Sequence, residues 1–367
     1  MKLAIIHFLP LEKYPPAMNF LEFLDEQNIQ ANVWSTKLDA AYNEFSTSNV
    51  TIHRLSGVQN NERKIIRLLK YLNFNLYVLF SLIRYRPDKI LYFETLSGLP
   101  ALLLKKIFPE RVKLFVHYHE YTSPEEYRNG MFLNRFIHSI EKKLYNLFDW
   151  ISHTNEVRAS LFKRDVGLND LDVKIVPNYP PLKWKLQSKR NKSNQGAPLK
   201  MVYVGALCTD TMYVREICEW VVAQNGAVHL DFWSHNISNS ADVYFKEVSS
   251  SWISLKGGVD YYSLPKVLAE YDMGLILYMG HIPNYVHNAP NKLFEYLVCG
   301  LDVLFPEELK GTYPYICEAF APRVIKVNFN KLEDLDYRTL LAVSPVNRRE
   351  INFFAEEVYS TVVRSLE

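Results

Sequence analysis

At 367 residues, 48% of them apolar and 14% aromatic, the chain is long enough for two domains and too apolar for extended disorder. A formal charge of +2 gives no basis for general polyanion binding, so nucleic acid is not an expected partner. The four cysteines, Cys208, Cys218, Cys299 and Cys317, form no C-x-x-C pair and complete no zinc-ligand spacing, which predicts buried free thiols and no metal.

The opening stretch, MKLAIIHFLP, is one short apolar run closed by proline and reads as a first strand rather than a secretion signal. No stretch reaches the ~20 uninterrupted apolar residues that span a bilayer, so a cytoplasmic protein is expected. Short apolar runs then alternate with longer helical patterns, the signature of parallel α/β architecture. Strands are predicted at 3–8, 31–35, 50–55, 89–93, 113–117, 150–153 and 173–176, with helices at 17–28, 62–85, 96–108 and 134–148. A polar, basic, aperiodic stretch follows VPNYPP, LKWKLQSKRNKSNQGAP, and reads as a linker. The alternation restarts at KMVYVGAL and closes with a helical pattern over 348–366 carrying Ile351, Phe354, Val358, Val362 and Leu366. Two open parallel sheets, one per half, are expected. Ligands of such sheets bind outside the carboxyl ends of the strands, so the expected site is a cleft between two facing domains.

The segment 287–300, HNAPNKLFEYLVCG, sets a proline, an asparagine and a lysine ahead of an apolar helical run. Pro290 suits the first helical position and Asn288 the N-cap, which would aim the amides of Ala289, Asn291 and Lys292 out of the helix end. A phosphate there gains from the helix dipole and from charge-assisted hydrogen bonds worth ~1.5–3 kcal/mol each. Glu295, four residues after Asn291, lies on the same face about 6 Å further along, close to the span from a nucleotide's phosphates to its ribose hydroxyls. The alternative is an amphipathic helix with a solvent-exposed glutamate.

APNKLFEYLVCGLDVLF resembles the nucleotide-sugar segment of glycosyltransferases with the GT-B fold, especially the large bacterial family of retaining hexosyltransferases. IVPNYP, MVYVGAL, GGVDYYSLPKVLAEYDMGLILY, LYFETLSG and FVHYHEY resemble further segments of that family in the same order. The resemblance implies two Rossmann-like domains: an acceptor domain at 1–181, a linker at 182–199 and a nucleotide-sugar domain at 200–346. It also implies a C-terminal helix at 347–367 returning to the first domain. It would make Glu295 the ribose ligand and give the diphosphate to Asn291 and Lys292 beside Pro290. Gly205, Ala206 and Thr209 would receive the phosphates, Val259 would lie beside the base, and Tyr278 would line the pocket. The chain departs from the pattern at His287, where retaining members carry a glutamate, and lacks the basic pair after the glycine turn. The implied activity is metal-independent hexosyl transfer from a nucleoside-diphosphate sugar, with UDP as first expectation, to a saccharide or lipid-linked saccharide in surface-polysaccharide assembly. No cofactor beyond the sugar nucleotide as co-substrate is expected. The rival readings are a non-catalytic subunit of the same fold and a sugar-nucleotide epimerase.

Transfer needs a base at the acceptor hydroxyl, or a positioned leaving phosphate. In VHYHEYTSPEEY, after a strand, Glu120 is the first candidate for that base and His119 the second. The turn FLPLEKYPPAMNF offers Tyr14, Pro16 and Asn19 to an acceptor. The helix at 62–85 combines Arg63, Lys64, Arg67, Lys70, Arg84 and Arg86 with many apolar residues. It reads either as a core helix with a basic edge or as a face resting on anionic lipid, which would put the protein on the inner surface of the cell membrane.

Overall fold

The computed structural model describes residues 2–37, 44–59, 62–168, 170–187, 198–248, 250–317, 320–341 and 349–366. The apolar runs of the first half form seven strands: β1 (Leu3–Ile6), β2 (Ala31–Thr36), β3 (Val50–Leu55), β4 (Lys89–Phe93), β5 (Lys113–Tyr118), β6 (Trp150–His153) and β7 (Val173–Ile175). They make one sheet, parallel throughout, in the order β3-β2-β1-β4-β5-β6-β7. Every residue of β1, β4 and β6 is buried, as expected where crossover helices cover both faces of a parallel sheet.

The second half repeats the plan. Strands β8 (Leu199–Val204), β9 (Val228–Trp233), β10 (Ile253–Lys256), β11 (Met273–Leu275), β12 (Asp302–Pro306) and β14 (Val324–Val327) form a six-stranded parallel sheet in the order β10-β9-β8-β11-β12-β14. Strands β13 (Phe320–Ala321) and β15 (Arg349–Glu350) pair separately. The strand order reverses between β1 and β4 in the first sheet and between β8 and β11 in the second. These two switch points are where an open α/β sheet leaves room for a ligand beyond its carboxyl edge.

The chain divides into two compact units, Met1–Asn178 with Ala355–Glu367, and Tyr179–Phe354. Two stretches differ from the sequence reading. Part of the expected linker, Lys183–Gln187, is helical, and Trp184 is buried in the second unit's core with its ring 4.8 Å from Tyr261. Residues 188–197 of that linker lie outside the described residues. The expected helix over 348–366 begins only at Ala355. Ile351 and Phe354, which fit its apolar period, instead belong to the core of the second unit.

Helix Ala355–Leu366 packs on helix Pro15–Glu26 of the first unit. There Tyr359 donates to the Pro16 carbonyl at 2.9 Å and meets Phe20 edge-on at 5.2 Å. A small apolar cavity of about 30 Å³ remains between Tyr359, Val362 and Leu366 and the sheet residues Leu91, Phe93, Phe115 and Trp150.

Helix Lys64–Tyr85 is apolar on two sides. Tyr71, Phe74, Val78 and Leu82 are buried, while Ile65, Leu69, Leu72, Leu76, Phe80 and Ile83 are exposed at the same helical spacing. Its 22 residues are long and apolar enough to cross a bilayer by length and composition, where the sequence reading found no such stretch. Strict apolar continuity hid this, because Lys70, Asn73, Asn75 and Ser81 interrupt the run.

Candidate functional site

At the second switch point the chain leaves β8 through Gly205, whose φ of +134° lies in the region that favours glycine. A Cβ there would stand 2.8 Å from both Cε and Nζ of Lys292, so the missing side chain lets the ammonium rest on the backbone. Lys292 belongs to helix Asn291–Val298, which is fixed to the sheet by Tyr296. The ring of Tyr296 lies over Gly274 of β11, where a Cβ would come within 2.2 Å, and its hydroxyl accepts from the Val204 amide at 3.1 Å. The helix starts one residue later than expected: Pro290 is the N-cap residue, with φ −70° and ψ 153°. Asn288 is not the cap; its carbonyl accepts from the Thr312 hydroxyl at 3.2 Å.

Lys292 Nζ donates to the Tyr278 hydroxyl at 3.0 Å and lies 5.6 Å from the Tyr203 ring centre. Burial works against its charge, but Tyr278 and then Glu295 outweigh it and hold the ammonium above its ordinary range. Glu295 is 9% exposed, so the reading of an exposed glutamate on an amphipathic helix does not hold. Burial pushes its carboxyl up to about 7, partly opposed by Lys292, and no hydrogen bond to the carboxylate occurs among the described residues. Thr209 is also buried, with no hydrogen-bond partner for its hydroxyl among the described residues. Helix geometry directs the first-turn amides of Asn291 and Lys292 outward on the same side. A half-buried cation, outward amides and an unsatisfied hydroxyl suit an anion, and a buried carboxylate one helical turn away suits a pair of hydroxyls.

Ala206 is exposed in the turn after Gly205, and its carbonyl accepts from Tyr203 at 2.8 Å. Tyr278 follows β11 and stacks on Tyr285 at 5.1 Å. His287 closes the short helix Pro283–Val286, and its backbone packs on Gly311, where a Cβ would come within 2.4 Å. Val259 is half-buried after β10, next to Gly258, whose open α-carbon is covered by the His235 ring. His235 was not singled out from sequence; the signal was the neighbouring Gly-Gly pair.

At the first switch point the sequence reading missed the central residue. Glu94 follows β4 with φ +63°, a conformation that costs a non-glycine residue ~1–3 kcal/mol and tends to mark functional sites. Its Oε1 accepts from the amides of His119 at 2.6 Å and Glu120 at 3.2 Å, which fixes the turn after β5. Burial and then the Glu120 charge push its carboxyl up to about 8. Arg158 braces the same turn, donating to the His119 carbonyl at 2.7 Å and to Thr154 at 3.0 Å. Burial brings its guanidinium down to about 10, against the pull of Glu120 and Glu94.

Glu120 itself is exposed. His119 is buried, stacked on Phe93 at 5.3 Å, with Nδ1 3.1 Å from Asn178 Oδ1. Burial lowers its pKa to about 3, which makes it a weak proton acceptor in the unliganded protein. Tyr14 is half-buried, its ring 4.6 Å from His7, and its hydroxyl is raised by burial and by the charges of Glu94 and Glu120. Pro16 and Asn19 are buried in helix Pro15–Glu26, where the Pro16 carbonyl receives the Tyr359 hydroxyl.

No family model and no curated protein matches the sequence. Solved structures do match in fold. Sucrose-phosphate synthase from Thermosynechococcus elongatus is 15% identical with a TM-score of 0.70, covering 100% of this chain and 96% of its own. HepE from Anabaena, in complex with UDP and glucose, is 12% identical with a TM-score of 0.67, covering 100% and 99%. UDP-GlcNAc 2-epimerase from Neisseria meningitidis, bound to UDP-GlcNAc, is 11% identical with a TM-score of 0.61, again covering 100% and 99%. The fold is that of the GT-B glycosyltransferases, built on two Rossmann-like sheets.

Proposed function

We propose that this protein is a glycosyltransferase that takes a sugar from a nucleoside diphosphate and passes it to a saccharide acceptor. The observation that carries the reading is the pairing of Lys292 with Glu295 at the β8/β11 switch point, with Gly205 opened to receive the lysine. Lys292 and the first-turn amides would bind the diphosphate and stabilise it as leaving group, a role that demands no metal. Glu295 would accept from the ribose hydroxyls, and Val259 would border the base. UDP is the favoured nucleotide, supported by HepE in complex with UDP and glucose. Glu120 would take the acceptor's proton on the turn that Glu94 and Arg158 brace.

The epimerase reading shares the donor site and has its own fold neighbour, but an epimerase has no acceptor to deprotonate. Thermal denaturation with UDP-, GDP-, ADP- and dTDP-sugars tests the core of the proposal. A bound nucleotide at a hundredfold excess over its Kd contributes ~2.7 kcal/mol and should raise the melting temperature by ~5 °C or more. A panel in which no nucleotide shifts the melt would remove it.

The acceptor belongs, in this proposal, to surface-polysaccharide assembly at the inner face of the cell membrane. Helix Lys64–Tyr85 supports this with its exposed apolar face and with exposed Arg63, Lys64, Arg67, Arg84 and Arg86. Lys70 drops out of the basic set, since it pairs with Glu62. Helix Leu99–Ile107 packs alongside and adds exposed Leu103 and Ile107. Apolar insertion together with ~1 kcal/mol per surface cation is enough for reversible docking on anionic lipid. In flotation with phosphatidylglycerol-containing vesicles, the wild type should rise with the lipid and a variant with Leu69, Leu76 and Phe80 changed to serine should stay down. A wild type that fails to float refutes the docking.

A further inference from the structure

The first unit contains a larger cavity, of about 260 Å³, under the turn that carries Glu120. It is far too large for one water and approaches the size of small-ligand sites, which begin at ~300 Å³. Its charged lining residues are Glu120, Arg128, Arg135, Lys142 and Asp165, and His138 and His153 add imidazoles, His138 with Nδ1 3.7 Å from Glu141. Asp165 is already engaged, by the Tyr121 hydroxyl and by Arg164 at 3.1 Å. None of Arg128, Arg135 and Lys142 forms an ion pair with a carboxylate among the described residues, so three cations meet one uncommitted carboxylate, Glu120. Local bonds hold two of the cations in place: Arg135 donates to the Arg128 carbonyl at 3.2 Å, and Lys142 to the Asp165 carbonyl at 3.3 Å.

One buried residue of the wall is polar and unsatisfied. His153 is 2% exposed, yet neither ring nitrogen has a hydrogen-bond partner among the described residues. Its ring stacks on Tyr118 at 5.1 Å, and burial lowers its pKa to about 3, so it is neutral and offers one donor and one acceptor. Below it, Glu141 is 0% exposed and receives the hydroxyls of Tyr92 at 2.8 Å, Thr95 at 3.0 Å and Tyr118 at 3.1 Å, a satisfied network that keeps the wall rigid. An unsatisfied neutral imidazole suits a sugar hydroxyl, and unpaired cations at the rim suit a phosphate.

We propose that this cavity is the acceptor site and that the acceptor is a phosphorylated saccharide. Its phosphate lies among Arg128, Arg135 and Lys142, a ring hydroxyl meets His153, and the reacting hydroxyl meets Glu120. In the transfer, the acceptor oxygen bonds to the donor's anomeric carbon while its proton passes to Glu120. The bond from that carbon to the phosphate oxygen breaks, and the nucleoside diphosphate leaves with the electron pair. The inference rests on the proposed donor site only for this last step; the cavity's preference for a phosphate stands alone.

The test is calorimetric titration with glucose 1-phosphate, glucose and farnesyl diphosphate, each in saturating UDP so that the donor site is filled. Glucose 1-phosphate should bind the wild type and glucose should bind at least tenfold more weakly. The combined Arg128→Ser, Arg135→Ser and Lys142→Ser variant should lose at least tenfold for the phosphorylated probe while its UDP affinity stays within twofold of wild type. Binding of glucose 1-phosphate supports the site, whereas binding of farnesyl diphosphate alone, which carries no sugar for His153 and Glu120 to meet, marks a bare diphosphate site and overturns the saccharide assignment. Failure of glucose 1-phosphate to bind, or a triple variant that binds as wild type does, overturns it. Failure of UDP to bind would strike the donor assignment instead, and the same probes titrated without UDP would still judge the cavity.

Discussion

Glu295→Ala should weaken UDP binding at least tenfold in calorimetry. A carboxylate receiving two ribose hydroxyls makes two charge-assisted hydrogen bonds of ~1.5–3 kcal/mol each, and tenfold is only ~1.4 kcal/mol. The pH dependence is a sharper signature. In the unliganded protein burial holds the Glu295 carboxyl at about 7, whereas hydroxyl donors favour its ionised form. UDP binding near pH 6.5 should therefore release protons, and affinity should rise between pH 6 and 8. The nucleotide's own phosphate titrates near ~6, so the comparison is with Glu295→Gln, which keeps the phosphate's contribution and loses the rest.

The unliganded protein follows the opposite trend. With a folded pKa raised from 4.5 to about 7, the unfolded chain gives up this proton first, so the group costs stability as pH rises across that window. Glu295→Gln should melt higher than wild type above pH 7 and gain nothing below pH 4.5. Unchanged UDP affinity in Glu295→Ala would end the ribose assignment.

This site was partly legible because helical spacing is a strong local signal. Asn291, Lys292 and Glu295 fall on one side of an apolar run whatever surrounds it. What spacing could not show is that Glu295 is buried, since that depends on how Tyr296 settles over Gly274. Strand runs such as Lys89–Phe93 and Trp150–His153 were equally plain, because strands covered on both faces are apolar at every position. Glu94 was invisible for the converse reason: one glutamate after LYF has no period, and its meaning comes from a positive φ and from amides 25 and 26 residues downstream. Pro15 and Pro16 looked like part of a turn because they follow a first strand, yet they start the helix, two residues ahead of the expected 17–28. Periodicity ran Ile351 and Phe354 into the final helix because it cannot register a change of partner.

Glu120→Gln should lower the transfer rate by ~10²–10⁴, the usual contribution of general base catalysis, and leave UDP affinity unchanged. The amide keeps the size of the side chain and removes its ability to take a proton. Glu94→Gln is the informative companion. It can still accept from the His119 and Glu120 amides, so the turn should hold, but it cannot ionise. If Glu94 only braces the turn, its glutamine variant should keep most of the turnover and lose the dependence that a carboxyl at about 8 imposes between pH 7 and 9. Full turnover in Glu120→Gln together with collapse in Glu94→Gln would move the base to Glu94.

The assignment of helix Ala355–Leu366 to the first unit bears on how the chain is made. Residues 179–354 form an uninterrupted stretch and can complete their own core as they leave the ribosome. The earlier sheet cannot: Leu91, Phe93, Phe115 and Trp150 wait for Tyr359, Val362 and Leu366, which are translated after the whole second unit. At ~5–20 residues per second that interval is about ten to some tens of seconds, during which an oily surface stands open to chaperones or to neighbouring nascent chains. The lobe synthesised first is thus the lobe finished last, and a stop codon ahead of Tyr359 would harm the part of the protein most distant from it in sequence.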